Sequence, residues 1–159
     1  MIIFLNGSIN AWKSTVAKIL AKKIPNTALV EVDTLREMID WMPIDQAILI
    51  NLENAVSVIK NFTKKGLNTI VPYPLSQDNY DYVLNELRNV NAKTYFFTLA
   101  PKLDKILINR GDRELNNKER ERIKHHYSIG INNPSFGIII DNTDQTPEET
   151  VDYILSKLF

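Results

Sequence analysis

The stretch "FLNGSINAWKSTVAKIL" (residues 4–20) decides the fold. A short apolar run stops at Asn6-Gly7, and an amphipathic pattern opens at Lys13 with Val16, Ile19/Leu20 and Ile24 on one face. Between them, Gly7, four residues, Trp12 and then Lys13-Ser14-Thr15 make the skeleton of a phosphate-binding loop in which tryptophan holds the place of the second glycine. A strand before and a helix after are what give such a loop chemical meaning. Backbone N–H groups at the helix N-terminus, from Gly7, Ser8, Ile9, Asn10, Ala11 and Trp12 onward, form an anion cradle with the helix dipole behind it. Lys13 is placed to reach the outer phosphates of a nucleotide, Ser14 to offer its hydroxyl to Mg²⁺, and Thr15 to complete the cradle.

Trp12 is the departure. Glycine tolerates left-handed dihedrals and lets the backbone approach phosphate closely. If the position requires φ > 0, a tryptophan there costs roughly 1–2 kcal/mol, about tenfold in affinity. If the indole also fills phosphate space, the site closes. A working site and a retained fold with poor nucleotide binding both stay open on this evidence, as does a plain strand–turn–helix connection.

Working outward, strands and helices alternate. "TALVEVD" (27–33) reads as a second strand ending in an acid, followed by helices over 34–41 and 44–64. Residues 67–73 read as a third strand, Ser76 to Val90 as a helix, and 93–100 as a fourth strand, after which Pro101 opens another helix. A polar, basic, weakly periodic insertion spans about 110–130 and precedes a fifth strand, "FGIIID". Thr146-Pro147-Glu148-Glu149 is a capping box that starts the last helix. The pattern predicts an α/β fold, a five-stranded parallel sheet covered by helices on both faces, organised as one domain over 1–159 with a short lid. Ligands of such sheets lie at the carboxyl ends of the strands.

Composition is that of an ordinary globular protein: 159 residues, 44% apolar and 24% charged. Nineteen basic residues balance nineteen acidic ones, so no basic field argues for nucleic acid. Without cysteine there is no disulfide, thiolate metal site or thiol nucleophile. The N-terminal apolar run is too short for a signal-peptide core or a membrane span, which makes the cytoplasm the expected location.

The chemical candidates follow strand ends. Asp33 can accept a proton from a substrate hydroxyl or hold a Mg²⁺-bound water, while Arg36 holds an anionic or polar group of the acceptor. A helix cap and a solvated charge are the bland reading of the same pair. Tyr73 and Pro74 shape the acceptor pocket, with Trp41, Met42, Asp45 and Asn51 as further lining. Pro72 stands where an acid often helps hold Mg²⁺. Arg110 and Arg113, one helical turn apart if helical, can stabilise charge on a transferring phosphoryl group from a lid. Arg120 and Arg122 alternate with glutamates and read as a solvated face, and adjacent His125 and His126 read as no metal site. The loop "DNTDQTPEE" (141–149), with Thr143 and Pro147, is placed to line the adenine.

With these residues laid out, "NGSINAWKST", the "VD" and "TLR" of the second strand end, "NRGDR" and "DNTDQTPEE" resemble the small P-loop kinases built like nucleoside monophosphate kinases. Among these the chain looks most like the chloramphenicol phosphotransferase-like group, with shikimate kinase more distant. The resemblance implies ATP and Mg²⁺ as cofactors and a small hydroxylated acceptor. It also implies Lys13 and Ser14 as phosphate and metal residues, Asp33 as general base, Arg36 on the acceptor side, and Arg110 and Arg113 as a lid pair. A binding or regulatory module with impaired ATP binding is the alternative, and a nucleoside or polynucleotide 5′-hydroxyl kinase a further one.

Overall fold

The computed structural model describes residues 1–110 and 114–159. Five parallel strands, β1 (Ile2–Gly7), β2 (Thr27–Leu29), β3 (Asn68–Pro72), β4 (Thr94–Leu99) and β5 (Ile138–Ile140), form one sheet in the order β2-β3-β1-β4-β5. The chain runs to one side of β1 for β2 and β3 and to the other for β4 and β5. The carboxyl end of β1 is therefore the topological switch point where a crevice opens.

β1 is buried at every position, and its side chains alternate between two cores. Ile3 and Leu5 pack with Val16 and Leu20 of α1 (Lys13–Lys23) and Val151 and Ile154 of α7 (Pro147–Leu158). Ile2 and Phe4 face Leu52, Val56 and Ile59 of α3 (Ile44–Lys64) and Val83 and Leu87 of α4 (Gln77–Leu87). Both faces of a parallel sheet must be covered, so β1 reads as a continuous apolar run. Among the described residues, no helix is long and apolar enough to cross a membrane.

Several boundaries differ from the sequence reading. β2 stops at Leu29, and α2 (Val32–Glu37) begins where the strand was expected to continue. β2 is an edge strand paired only with β3, and its ladder ends at Leu29 opposite Ile70. Thr34 then bonds back to the Glu31 carbonyl through both its N–H and its hydroxyl, turning the chain into helix. Asp33 thus stands in the first turn of α2, not at a strand end. Pro101 lies outside α5 (Leu103–Ile106), which has Lys102 as its N-cap.

The polar insertion contains a full helix, α6 (Asn117–Ser128), closed by a capping box between Asn116 and Glu119. That Asn-x-x-Glu spacing is a start signal visible in the sequence. Arg110 lies outside any helix, so the expected helical pairing with Arg113 fails at its first member; Arg113 itself is outside the described residues.

Asn6, buried at the end of β1, ties the strand ends together. Its amide donates to Thr98 Oγ1 (3.0 Å) and the Ile131 carbonyl (3.1 Å), and its Oδ1 accepts from the Leu75 N–H (2.8 Å). Gly7 follows at φ 134°, where an added Cβ would stand 2.5 Å from the Leu99 carbonyl oxygen of the neighbouring strand. Backbone cannot yield there as a side chain can. Gly7→Ala is expected to lower the unfolding free energy by at least about 2 kcal/mol, read from the urea midpoint. An unchanged midpoint would mean that the strand pair can part without cost.

Candidate functional site

The phosphate loop owes its shape to three left-handed backbones, Gly7 (φ 134°), Asn10 (φ 65°) and Trp12 (φ 69°, ψ 20°). Alternation of this kind turns successive amides toward one concavity, an anion-binding device. Asn10 is one of the few non-glycine types that tolerates this region, and its amide is fixed on the carbonyls of Ile106 and Ile108, both at 2.9 Å. Lys13 Nζ reaches back to the Ser8 carbonyl at 2.8 Å, holding the lysine over the loop.

Trp12 occupies the conformation that favours glycine, at a cost of roughly 1–2 kcal/mol. The structure supplies a compensating contact: the Arg110 guanidinium carbon lies 3.9 Å from the centre of the Trp12 ring. A largely desolvated cation–π pair contributes about 2 kcal/mol, enough to offset the strain. The indole also packs at the margin of the α1–α7 core. Arg110 itself is only 9% exposed. Its Nη2 donates to the carbonyl of Asn142 (3.0 Å), its Nη1 has no hydrogen-bond partner among the described residues, and burial pulls its pKa below the ordinary value. Asn142 in turn donates to the Ala11 carbonyl at 3.2 Å.

A cleft of about 600 Å³ opens at this switch point, walled on the loop side by Ile9, Asn10 and Trp12 through Thr15, and elsewhere by Asp33, Pro72, Arg110 and Pro147. The structure thus brings Lys13, Ser14, Asp33, Arg110 and Pro147 to one cavity. Ser14, Thr15 and Asp33 are exposed to it. Two oxygen donors suit a hard cation that keeps waters and phosphate ligands. Among the described residues, no group of three or more His, Cys, Asp or Glu could hold a metal by itself. The fit is to Mg²⁺ arriving with phosphate, at Ser14 and Asp33. A buried guanidinium nitrogen left unsatisfied beside a helix N-terminus fits an anion.

Other expected residues lie elsewhere. Tyr73 is buried in the α3–α4 core, and Pro72 rather than Tyr73 faces the cleft. Burial raises the Tyr73 phenol pKa, the Asp33 charge adds to the rise, and Arg122 and Arg36 oppose it. Arg36, which does not line the cleft, keeps a buried Nε without a partner among the described residues. Thr143 is engaged with Asp141 and with the Lys102 N–H and does not line the cleft. Trp41, Met42, Asp45 and Asn51 do not line it either; Trp41 is 76% exposed and Asn51 is buried inside α3. Arg120 is half-buried, bonded to the carbonyls of Leu107 and Leu115, and is no solvated face.

His126 was not read as functional, yet it is buried and shares a 3.0 Å hydrogen bond with the Ser8 hydroxyl, pinning α6 to the phosphate loop. The pair is 118 residues apart in sequence, beyond the reach of any local signal. Burial lowers the His126 pKa from 6.5 to about 4, helped by the positive charges of Arg122, Lys13 and His125. The folded protein therefore binds fewer protons there than the unfolded chain between pH 6.5 and about 4. Stability is full above that window and falls with acidity through it, by at most about 1.4 kcal/mol per pH unit for one proton. His126→Gln should flatten this part of the urea-midpoint profile; an unaltered slope would place the titration elsewhere.

The five-stranded parallel sheet in the order β2-β3-β1-β4-β5, flanked by helices, is a fold shared with solved kinase structures. Solved structures match it across nearly the whole chain. A sugar kinase from Janibacter sp. superposes with a TM-score of 0.75 at 16% identity, covering 99% of this chain and 93% of that one. The APS kinase of Mycobacterium tuberculosis, in complex with AMPPNP and APS, gives 0.69 at 17%, with 99% and 96% covered. The Deinococcus radiodurans tunicamycin resistance protein gives 0.69 at 16%, with 99% and 94%. No protein-family model and no curated protein matches the sequence.

Proposed function

We propose that the chain is an ATP-dependent phosphotransferase that moves the γ-phosphoryl group to a hydroxyl of a small-molecule acceptor. The observation that carries this is Arg110, a buried arginine whose Nη1 is unsatisfied among the described residues, lining the same cleft as Lys13 and the loop before it. Three sources of positive potential meet there: the curled amides, the Lys13 ammonium and the Arg110 guanidinium. None of the solved structures named above exceeds 17% identity, so their activities serve only as precedent for what this fold can do.

When bound, ATP supplies the phosphoryl group, and Mg²⁺, held by Ser14 and Asp33, neutralises phosphate charge. The protein's own part is positional and electrostatic. The loop amides from Gly7 to Trp12 and the Ser14–Thr15 turn hold the phosphates, and Pro147 lies on the same wall for the base, with Thr143 supporting its loop. Lys13 and Arg110 stabilise charge on the outer phosphate. Asp33, exposed across the cleft, orients the acceptor hydroxyl and takes its proton, while Arg36 and Tyr73 form the floor behind it. The motifs "NRGDR" and "DNTDQTPEE" favour the chloramphenicol phosphotransferase-like group. We place the enzyme in the cytoplasm, acting as a single domain.

The alternative of a non-catalytic binding module draws its force from Trp12. That force weakens where the indole is engaged by Arg110 and the cleft stays open. A polynucleotide end as acceptor is disfavoured by the zero net charge.

The test is ADP release across a panel of hydroxylated small molecules. At least one should stimulate release, and Asp33→Asn should cut that rate by about 10²–10⁴-fold. Full activity in Asp33→Asn would remove Asp33 from the chemistry, and no stimulation by any acceptor would leave the binding-module reading in its place.

A further inference from the structure

The residue that breaks the phosphate-loop pattern is the residue that holds the buried arginine. Four contacts close a circuit. The Trp12 ring lies under the Arg110 guanidinium at 3.9 Å. Arg110 Nη2 donates to the Asn142 carbonyl, and the Asn142 side chain donates to the Ala11 carbonyl, which is bonded through the peptide to Trp12. Each member is fixed by two others, and the circuit joins the phosphate loop, the segment after α5 and the loop after β5 without any ligand. A guanidinium is planar, so a stacked face and one pinned nitrogen leave it little freedom to turn. What remains is Nη1, unsatisfied among the described residues, in a nine-tenths buried residue that lines the cleft.

We infer that Trp12 is a positioning residue: its indole is the platform that holds Arg110 in place for phosphate before the ligand arrives, and tryptophan stands in the glycine position for that reason. Glycine at position 12 would relieve the left-handed backbone and leave Arg110 unsupported. The strain of the loop is thereby exchanged for preorganisation of its cation. The expected sign is opposite to that of a simple defect. A defective loop improves when Trp12→Gly restores the usual residue, whereas a platform loses affinity.

This inference rests on the phosphate-binding reading of the cleft, and the experiment separates the two. Inorganic triphosphate, which has no base, is titrated calorimetrically against the wild-type chain and the variants Trp12→Gly, Trp12→Phe, Trp12→Leu and Arg110→Ala, alone and combined. Trp12→Gly and Trp12→Leu should each weaken binding by about tenfold, with Trp12→Phe keeping most of the affinity because it keeps a ring. In an Arg110→Ala background the same changes should cost less than about twofold, since the platform then has nothing to hold. A structural role alone would carry the full loss into that background. The Phe and Leu comparison decides the matter if the glycine variant does not fold. Tighter binding by Trp12→Gly, equal binding by Phe and Leu, or additive losses with Arg110→Ala would each overturn the inference and leave the phosphate site intact. No binding of triphosphate by the wild-type chain would overturn both.

Discussion

The site depends on a backbone that curls the wrong way for most amino acids. Within six residues, Gly7, Asn10 and Trp12 all take positive φ, and that curl turns the strand of a parallel sheet into an anion cradle at the start of a helix. Gly7 adopts the conformation because it lacks a Cβ that would meet Leu99. Asn10 adopts it with its amide anchored on the Ile106 and Ile108 carbonyls. Trp12 adopts it under a guanidinium. Each of the three solves one steric problem by a different interaction, and two of those interactions recruit distant parts of the chain to the loop.

The cleft is therefore assembled around its loop rather than beside it. Asn142 reaches Ala11, His126 reaches Ser8, and Asn6 gathers Leu75, Thr98 and Ile131 at the strand ends. Hydrogen bonds between residues this far apart in the chain fix the geometry of the opening more narrowly than apolar packing alone. The wall of the cleft that includes Lys13 and Pro147 lies beside this network. Asp33 and Pro72 line the same cleft.

Much of the fold was legible because it rests on local pattern. The alternation of strands with helices, the continuous apolar run of β1 and the capping box at Thr146 each declare themselves within a few residues, and α3 occupies the span its periodicity indicated. The strand, loop and helix that carry Gly7 to Thr15 were legible for the same reason. What escaped depends on pairing across the chain. β2 ends early because it is an edge strand, which no local window reveals. Arg120 looked solvated among glutamates but finds backbone carbonyls across the chain turn. His126 and Asn6 become important only through partners 69 to 125 residues away. Trp12 read as damage because its compensating partner, Arg110, lies 98 positions later in the sequence.

The measurement that bears most directly on this account is calorimetric titration of the unmodified chain with ATP in the presence of Mg²⁺. The account predicts saturable, one-to-one binding in the micromolar range that weakens when Mg²⁺ is withheld. Absence of heat and of any stabilisation up to millimolar nucleotide would contradict it. The cradle, the lysine and the buried arginine would then be relics of the fold rather than a working site.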